Sequence, residues 1–417
     1  MPEVISWVLI ALALLALLGI IFEELIHINK AQSVLFFGSL SWVILFAASA
    51  GTDQHHIIED GLKENIGEIA GLWLFLTAAM TFVAYLNKKG LIETAIFKVL
   101  PREISERKLL LLTGLFAFIF SSLADNITAT LVSVALILSL KLPARKTLRF
   151  ATVAVFAVNS GGVAMITGDV TTLMIFLADK AEIVSLLMLS VPAFLAVLLL
   201  MGLLMLPMSG RVSVAHSSHE LQRVDLVIAG IFLTTILTTI GFNVLFDIPP
   251  VLTFLTGLSV MFLVAKAMGE DTEKDPIMDY IRRIEFDTLM FFLGILLVVG
   301  ALKEVRALDS FVAIYDVAPA WQANYLMGLF SSIIDNVPLT AALLKSDVQM
   351  SPAEWLALTY AVGVGGSLLI IGSAAGIVAM SKIEALTFAS YLRFIVALLI
   401  AYTVGYALTL GLGYLVM

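Results

Sequence analysis

The sequence predicts an all-α polytopic membrane protein of two inverted repeats, each with a re-entrant hairpin and an interrupted transmembrane helix. Three observations predict it. Hydrophobic residues make up 60% of the 417 and charged ones only 13%, more apolar surface than a soluble chain of this length has use for. The stretch SSLADNITAT at 121–130 returns, altered, as SSIIDNVPLT at 331–340, one copy in each half. Each copy also lies in an apolar stretch whose length suits neither a single crossing nor two.

Apolar runs of spanning length fall near 4–22, 31–50, 66–86, 150–178, 184–206, 224–246, 250–268, 285–302, 354–380 and 389–415. The chain opens Met1-Pro2-Glu3 without a basic n-region, so the first run reads as an uncleaved span. Residues 109–140 would make a helix of about 48 Å against a hydrocarbon core of about 30 Å. Cut at Asp125-Asn126, each arm reaches only about 23 Å. A hairpin with the polar pair at its tip satisfies both limits, and residues 320–345, cut at Asp335-Asn336, behave likewise. Irregular backbone at that depth requires cover from protein or a water-filled cavity.

Charge tests this topology. Lys88, Lys89, Lys98, Arg102, Arg107 and Lys108 precede the first hairpin, and Lys141, Arg145, Lys146 and Arg149 follow it. With that side cytoplasmic, all of the 24 Lys and Arg except Lys63, Lys180, Lys303, Arg306 and Lys345 lie inside. Five crossings separate the hairpins, so the second enters from the opposite face. The division expected is a first repeat over 1–208 with its hairpin at about 109–140 and broken helix at about 150–178. A polar linker follows over 209–223, then a second repeat over 224–417 with hairpin at about 320–345 and broken helix at about 354–380. Segments 90–104 and 303–317 occupy matched places before the hairpins and read as interfacial helices.

The broken helices carry VNSGGVAMITGDVTTL at 158–173 and VGVGGSLLIIGSAAG at 362–376. The spacing from Gly162 to Gly168 recurs from Gly366 to Gly372. Such glycines permit an unwound turn whose carbonyls and half-helix ends can face an ion, although small residues also serve close helix packing.

The oxygens suit a hard cation. Asp125, Asn126, Thr128, Asn159, Asp169, Thr171 and Thr172 supply them in one half; Ser331, Ser332, Asp335, Asn336, Ser367 and Ser373 do so in the other. No Lys or Arg lies near the middle of a span, so each buried acid must be neutralised by a proton or a metal cation. Competition between the two at a site open to alternate sides is sufficient for exchange. A blander role for the tip residues is capping of broken helix ends. Glu68 and Asp287 start the third span of each half and read as gating or pH-responsive groups, or as dipole partners. Glu23, Glu24, Glu59, Asp60 and the His55-His56 pair read as solvated loop groups.

With no cysteine, disulfides, thiolate metal sites and cysteine nucleophiles are excluded, and no HExxH spacing occurs. An intramembrane aspartyl protease would need adjacent carboxyls and a GxGD-like motif, and Thr167-Gly168-Asp169 has only one glycine. No enzyme, cofactor or nucleic-acid partner is expected; the bilayer is.

SSLADNITAT, NSGGVAMITGDVTTL and SSIIDNVPLTAAL together resemble NhaD-type sodium/proton antiporters, of the superfamily that includes dicarboxylate carriers and arsenite permeases. The resemblance runs from about residue 60 to the end. It implies a multi-pass inner-membrane antiporter exporting Na+ or Li+ for protons. It also implies a homodimer and an elevator-like transport domain. Function would rest on Asp125, Asn126, Asn159, Asp169, Thr171, Thr172, Ser331, Asp335, Asn336 and Ser373, with Na+ at Asp125, Asn126, Asp169, Asp335 and Asn336. Ser373 stands where the first half has Asp169, so the halves are chemically unequal. The alternative is a carboxylate or oxyanion carrier of the same superfamily, which acids at both tips disfavour.

Overall fold

The computed structural model describes residues 3–21, 28–91, 94, 101, 103–213, 222–268, 277–284, 286–310, 313–346 and 348–416. It is overwhelmingly helical. Eight helices among the described residues are long and apolar enough to cross a membrane. They match eight of the ten runs expected from sequence, and the remaining two runs are interrupted.

The chain divides into two compact units, neither continuous in sequence. The first comprises Met1–Leu76, Glu285–Ala323 and Val337–Gln349. Here α1 (Glu3–Ile21) and α2 (Lys30–Ser49) pack with α11 (Phe286–Glu304) and with the first part of α3 (His55–Lys88). Leu9, Trp42, Leu45, Ile58 and Ala301 make a buried core. Polar side chains add directed ties to α11 carbonyls: Trp42 Nε1 donates to Leu297 O (3.0 Å), Asn65 Nδ2 to Leu296 O (3.2 Å) and Trp73 Nε1 to Leu289 O (2.8 Å). Gly38 lets α2 approach closely, since a Cβ there would sit 2.6 Å from Gly294 O.

The second unit comprises Thr77–Ile284, Asn324–Asn336 and Met350–Met417. The first expected hairpin is two helices, α4 (Glu106–Leu123) and α5 (Asn126–Ser139), broken at Ala124-Asp125. The first interrupted helix is α6 (Ala144–Gly162) followed by α7 (Val170–Leu177), and then come α8 (Ile183–Met205), α9 (Arg223–Phe246) and α10 (Pro250–Ala267). In chain order, α11 and the one-turn α12 (Ile314–Val317) of the first unit are followed by the second expected hairpin, α13 (Ala320–Ser331) and α14 (Asn336–Lys345), of which Asn324–Asn336 falls in the second unit and the rest in the first. The second interrupted helix is α15 (Pro352–Gly365) and α16 (Ala374–Lys382); α17 (Phe388–Tyr391) and α18 (Ile395–Val416) close the chain. Ser351 and Glu354 form a reciprocal capping box that starts α15. Within this unit α6 packs against both α4 and α5, α15 against α6 and α7, and α16 against α5 and α6. The two interrupted helices therefore share a core.

The fold corrects the sequence reading at the ribbon, at 303–317, and at His55, His56, Glu59 and Asp60, which stand in the first turns of α3 and not in a loop. A short antiparallel ribbon, β1 (Glu103–Ser105) with β2 (Arg211–Ser213), interrupts the all-α plan. It ties part of the expected linker to the start of α4, and three-residue strands carry no periodic signal. Residues 303–317 are the end of α11, a 3-10 turn at Ala307–Ser310 and α12, not one interfacial helix. Most of 90–104 and of 209–223, with Lys98, Arg102, Glu23 and Glu24, lies outside the described residues.

A half-buried ion pair backs the ribbon. Glu106, in the first turn of α4, is paired with Lys146 in the first turn of α6. Arg107 Nε donates to Met208 O (2.7 Å) and the Arg107 guanidinium also to Leu206 O (3.3 Å), capping the carbonyl end of α8. Lys146→Met leaves the Glu106 carboxylate buried without its cation, and we expect a loss of about 2 kcal/mol, because the lysine is only partly buried. Thermal unfolding of Lys146→Met beside the double variant with Glu106→Gln checks this; the double should recover part of the loss.

Candidate functional site

Both interrupted helices stop on glycine pairs and restart on a capping side chain. α6 ends at Gly161-Gly162, and Asp169 caps α7 from an extended backbone conformation, its Oδ1 accepting from Thr171 N (3.0 Å). α15 ends at Gly365-Gly366, and Ser373 caps α16 with Oγ accepting from Gly376 N (3.3 Å). The glycines are there for backbone approach. A Cβ on Gly161 would run into Phe118 O of α4, and one on Gly365 into Gly328 O of α13. Serines complete the pairing: Ser121 Oγ donates to Val158 O (2.7 Å), and Ser331 Oγ to Val362 O (2.6 Å). α4 is thus seated on α6, and α13 on α15, by the same two devices.

Asp169 is the focus of polar contacts. It is only 6% exposed. Its Oδ2 accepts from Asn126 Nδ2 (3.1 Å) and from Asn336 Nδ2 (3.2 Å), one amide from each tip sequence. Asp335 lies within electrostatic range of the same carboxylate. Asn159 is fully buried in α6, Nδ2 donating to Val155 O (2.9 Å) and to Ser373 Oγ (3.1 Å). Among the described residues, the Oδ1 of Asn159, the hydroxyl of Ser160 and that of Thr172 are buried without a hydrogen-bond partner. Such oxygens cost free energy unless something electropositive meets them. A carboxylate, amide oxygens and hydroxyls form a donor set that fits a small hard cation such as Na+ as cargo.

The remaining expected residues take more local positions. Asp125 caps α5: Oδ1 accepts from Ile127 N (3.0 Å) and Thr128 N (2.9 Å), and Oδ2 from Thr128 Oγ1 (2.7 Å). The capping role is therefore real for Asp125 and Thr128, and what the tip sequences bring to a common partner is their amides. Thr171 is fully buried in the first turn of α7. Ser367 turns its hydroxyl onto Val364 O (2.6 Å), closing α15, while its carbonyl accepts from Tyr391 OH (2.6 Å). Ser332 Oγ donates to Leu329 O (2.6 Å).

Glu68 and Asp287 belong to the first unit. Asp287 does start a helix, in the first turn of α11, and accepts from Asn29 Nδ2 (3.1 Å). Glu68 does not: α3 begins at His55, so Glu68 lies well inside that helix and is paired with Lys345. Its dipole reading is withdrawn, because the polar first turns of α3 belong to the helix and hydropathy alone began it too late.

The sequence reading passed over Ser121. Its hydroxyl lies 2.8 Å from Asn126 Oδ1 as well as against Val158 O, which turns the NH2 end of that amide to Asp169. The repeated serine doublet at 121–122 and 331–332 was the available signal.

Comparison with known proteins follows the same lines. A family profile described as "Citrate transporter" matches residues 3–363. The Na(+)/H(+) antiporter NhaD of Alkalimonas amylolytica is 30% identical over 441 residues, covering 99% of this chain and 91% of that protein. The Na(+)/H(+) antiporter NhaD of Vibrio cholerae serotype O1 is 31% identical over 428 residues, covering 95% and 89%. Sodium/proton antiporter 1 of Arabidopsis thaliana is 31% identical over 415 residues, covering 93% and 70%.

Proposed function

The chain belongs to the NhaD-type antiporters within the citrate-transporter family, and on that premise we propose that it exchanges cytoplasmic Na+ or Li+ for external protons across the inner membrane. One observation carries the reading. Amides from two distant tip sequences meet on the buried Asp169 carboxylate, with unpartnered oxygens of Asn159 and Thr172 in the same interrupted helix. A single buried carboxylate that takes either a proton or a metal cation, but not both, couples the two flows.

The chain's own residues divide the work. Asp169 holds the charge. Asn126 and Asn336 orient it through their NH2 groups, and an amide turned about its terminal torsion offers oxygen to a cation instead. Thr171 N and Ser373 hold the ends of the half-helices in place. No Lys or Arg side chain hydrogen-bonds Asp125, Asn126 or Asp169 among the described residues, so the carboxylate is left for a mobile cation.

The same reading takes the two helix pairs as re-entrant hairpins of inverted repeats. The matched serine bonds and glycine approaches in the two halves support it. A homodimer with an elevator-type movement completes the proposal. A carboxylate or oxyanion carrier is the second reading, favoured by the description of the family profile.

Proteoliposomes decide between them. A preset ΔpH should collapse on adding NaCl or LiCl and persist with KCl, citrate or arsenite. Collapse with citrate or arsenite and not with Na+ would transfer the assignment to the anion carriers.

A further inference from the structure

A groove of about 600 Å3 opens beside the β1–β2 ribbon, its lining including Glu103, Ile104, Lys108, Leu111, Leu112 and Arg211. Its apolar floor comes from one side of α4 and its two cations from the helix start and the ribbon. Both are exposed, and neither side chain has an ion-pair partner among the described residues. Their neighbours differ: Arg107 is spent on Met208 O and Leu206 O, and Lys146 on Glu106. One acid, Glu103, faces two cations, so the groove keeps a net positive charge.

The position of Lys108 adds to this. It stands in the first turn of α4, where the helix dipole disfavours a cation and favours an anion. The Glu106–Lys146 pair also places the start of α6, with Arg145 and Arg149, at the same end of the unit. By the distribution of Lys and Arg this end is cytoplasmic. The cytoplasmic leaflet carries anionic lipids, and basic pockets between helices on that side hold their headgroups.

We propose that this groove binds an anionic phospholipid of the cytoplasmic leaflet, its phosphate between Lys108 and Arg211 and an acyl chain along Leu111 and Leu112. The assignment is independent of which ion is transported. It places a lipid on the arm that leads to Asp125-Asn126.

The test is thermal unfolding of the full-length purified protein in a nonionic detergent, titrated with phosphatidylglycerol, phosphatidylcholine or water-soluble glycerol phosphate. Phosphatidylglycerol should raise Tm saturably, and the other two should not. Lys108→Ala and Arg211→Ala should each weaken the apparent phosphatidylglycerol affinity about fivefold, the effect of one surface cation near anionic lipid. Lys108→Gln with Arg211→Gln provides a second pair, each scored against its own lipid-free Tm. Lys141→Ala, which removes a cation elsewhere on the same face, should change the affinity less than twofold. An equal phosphatidylglycerol response in the double variant would overturn the site. So would equal stabilisation by phosphatidylcholine, or a glycerol phosphate response matching that of the lipid.

Discussion

Replacing Asp169 by asparagine is expected to abolish Na+-driven proton movement in proteoliposomes while leaving the protein folded. The carboxylate is buried and accepts from three donors, Thr171 N and the amides of Asn126 and Asn336. Asparagine keeps the shape and one acceptor, so Thr171 N stays capped. It removes the charge that would balance a cation, and a buried ion without its counter-charge costs several kcal/mol, a rate loss on the order of 10^3. The new NH2 would also face two NH2 donors, a conflict worth about 1–3 kcal/mol of stability unless those amides turn. Two readouts separate the effects: initial rate of ΔpH collapse, and Tm. Exchange above a tenth of the wild-type rate would remove Asp169 from the ion path. Asp125→Asn is the informative partner. Asparagine also caps α5 well, so any loss of exchange there reports charge and not the break between α4 and α5.

The largest structural effect is expected from Gly161→Ala and Gly365→Ala. A methyl at Gly161 collides with the carbonyl oxygen of Phe118, and one at Gly365 with that of Gly328. Both obstacles are backbone, which cannot swing aside as a side chain does. The pair Ser121–Val158 on one side and Ser331–Val362 on the other would have to open for the helices to separate. We expect each variant to lose about 3 kcal/mol or more, seen as a large fall in Tm or in monodisperse yield. Gly202→Ala is the control: it lies inside α8 with nothing within 4 Å of an added Cβ, so it should be neutral or stabilising by up to about 1 kcal/mol. Wild-type Tm for Gly161→Ala would show that α4 and α6 do not approach as described.

These predictions rest on features of different legibility. The breaks at 124–125 and 163–169 were readable because two rules meet there: a new helix start needs a polar cap, and an unwound turn needs glycine. The ribbon at 103–105 and 211–213 was not readable, since its partners are far apart and each strand is too short for alternation to register. Glu68 was misplaced for a related reason, because hydropathy marks where a helix becomes apolar and not where it begins.

The amino-acid sequence by itself determined the class of the protein, the eight continuous apolar helices and two interrupted ones found among the described residues, and the roster of oxygens suited to a cation. Composition and length decide these, because hydrocarbon excludes unpaired backbone and admits few other solutions. Only the tertiary structure decided which of three similar aspartates is central. In sequence Asp125 and Asp335 are the matched acids of the repeated stretch and Asp169 an acid of the first broken helix, and nothing there says which one gathers the others' neighbours. In space Asp125 is turned onto its own helix start, and the amides next to Asp125 and Asp335 converge on Asp169. A carboxylate's role follows from the donors directed at it, and those come from residues 43 and 167 positions away. Local sequence holds no record of that meeting.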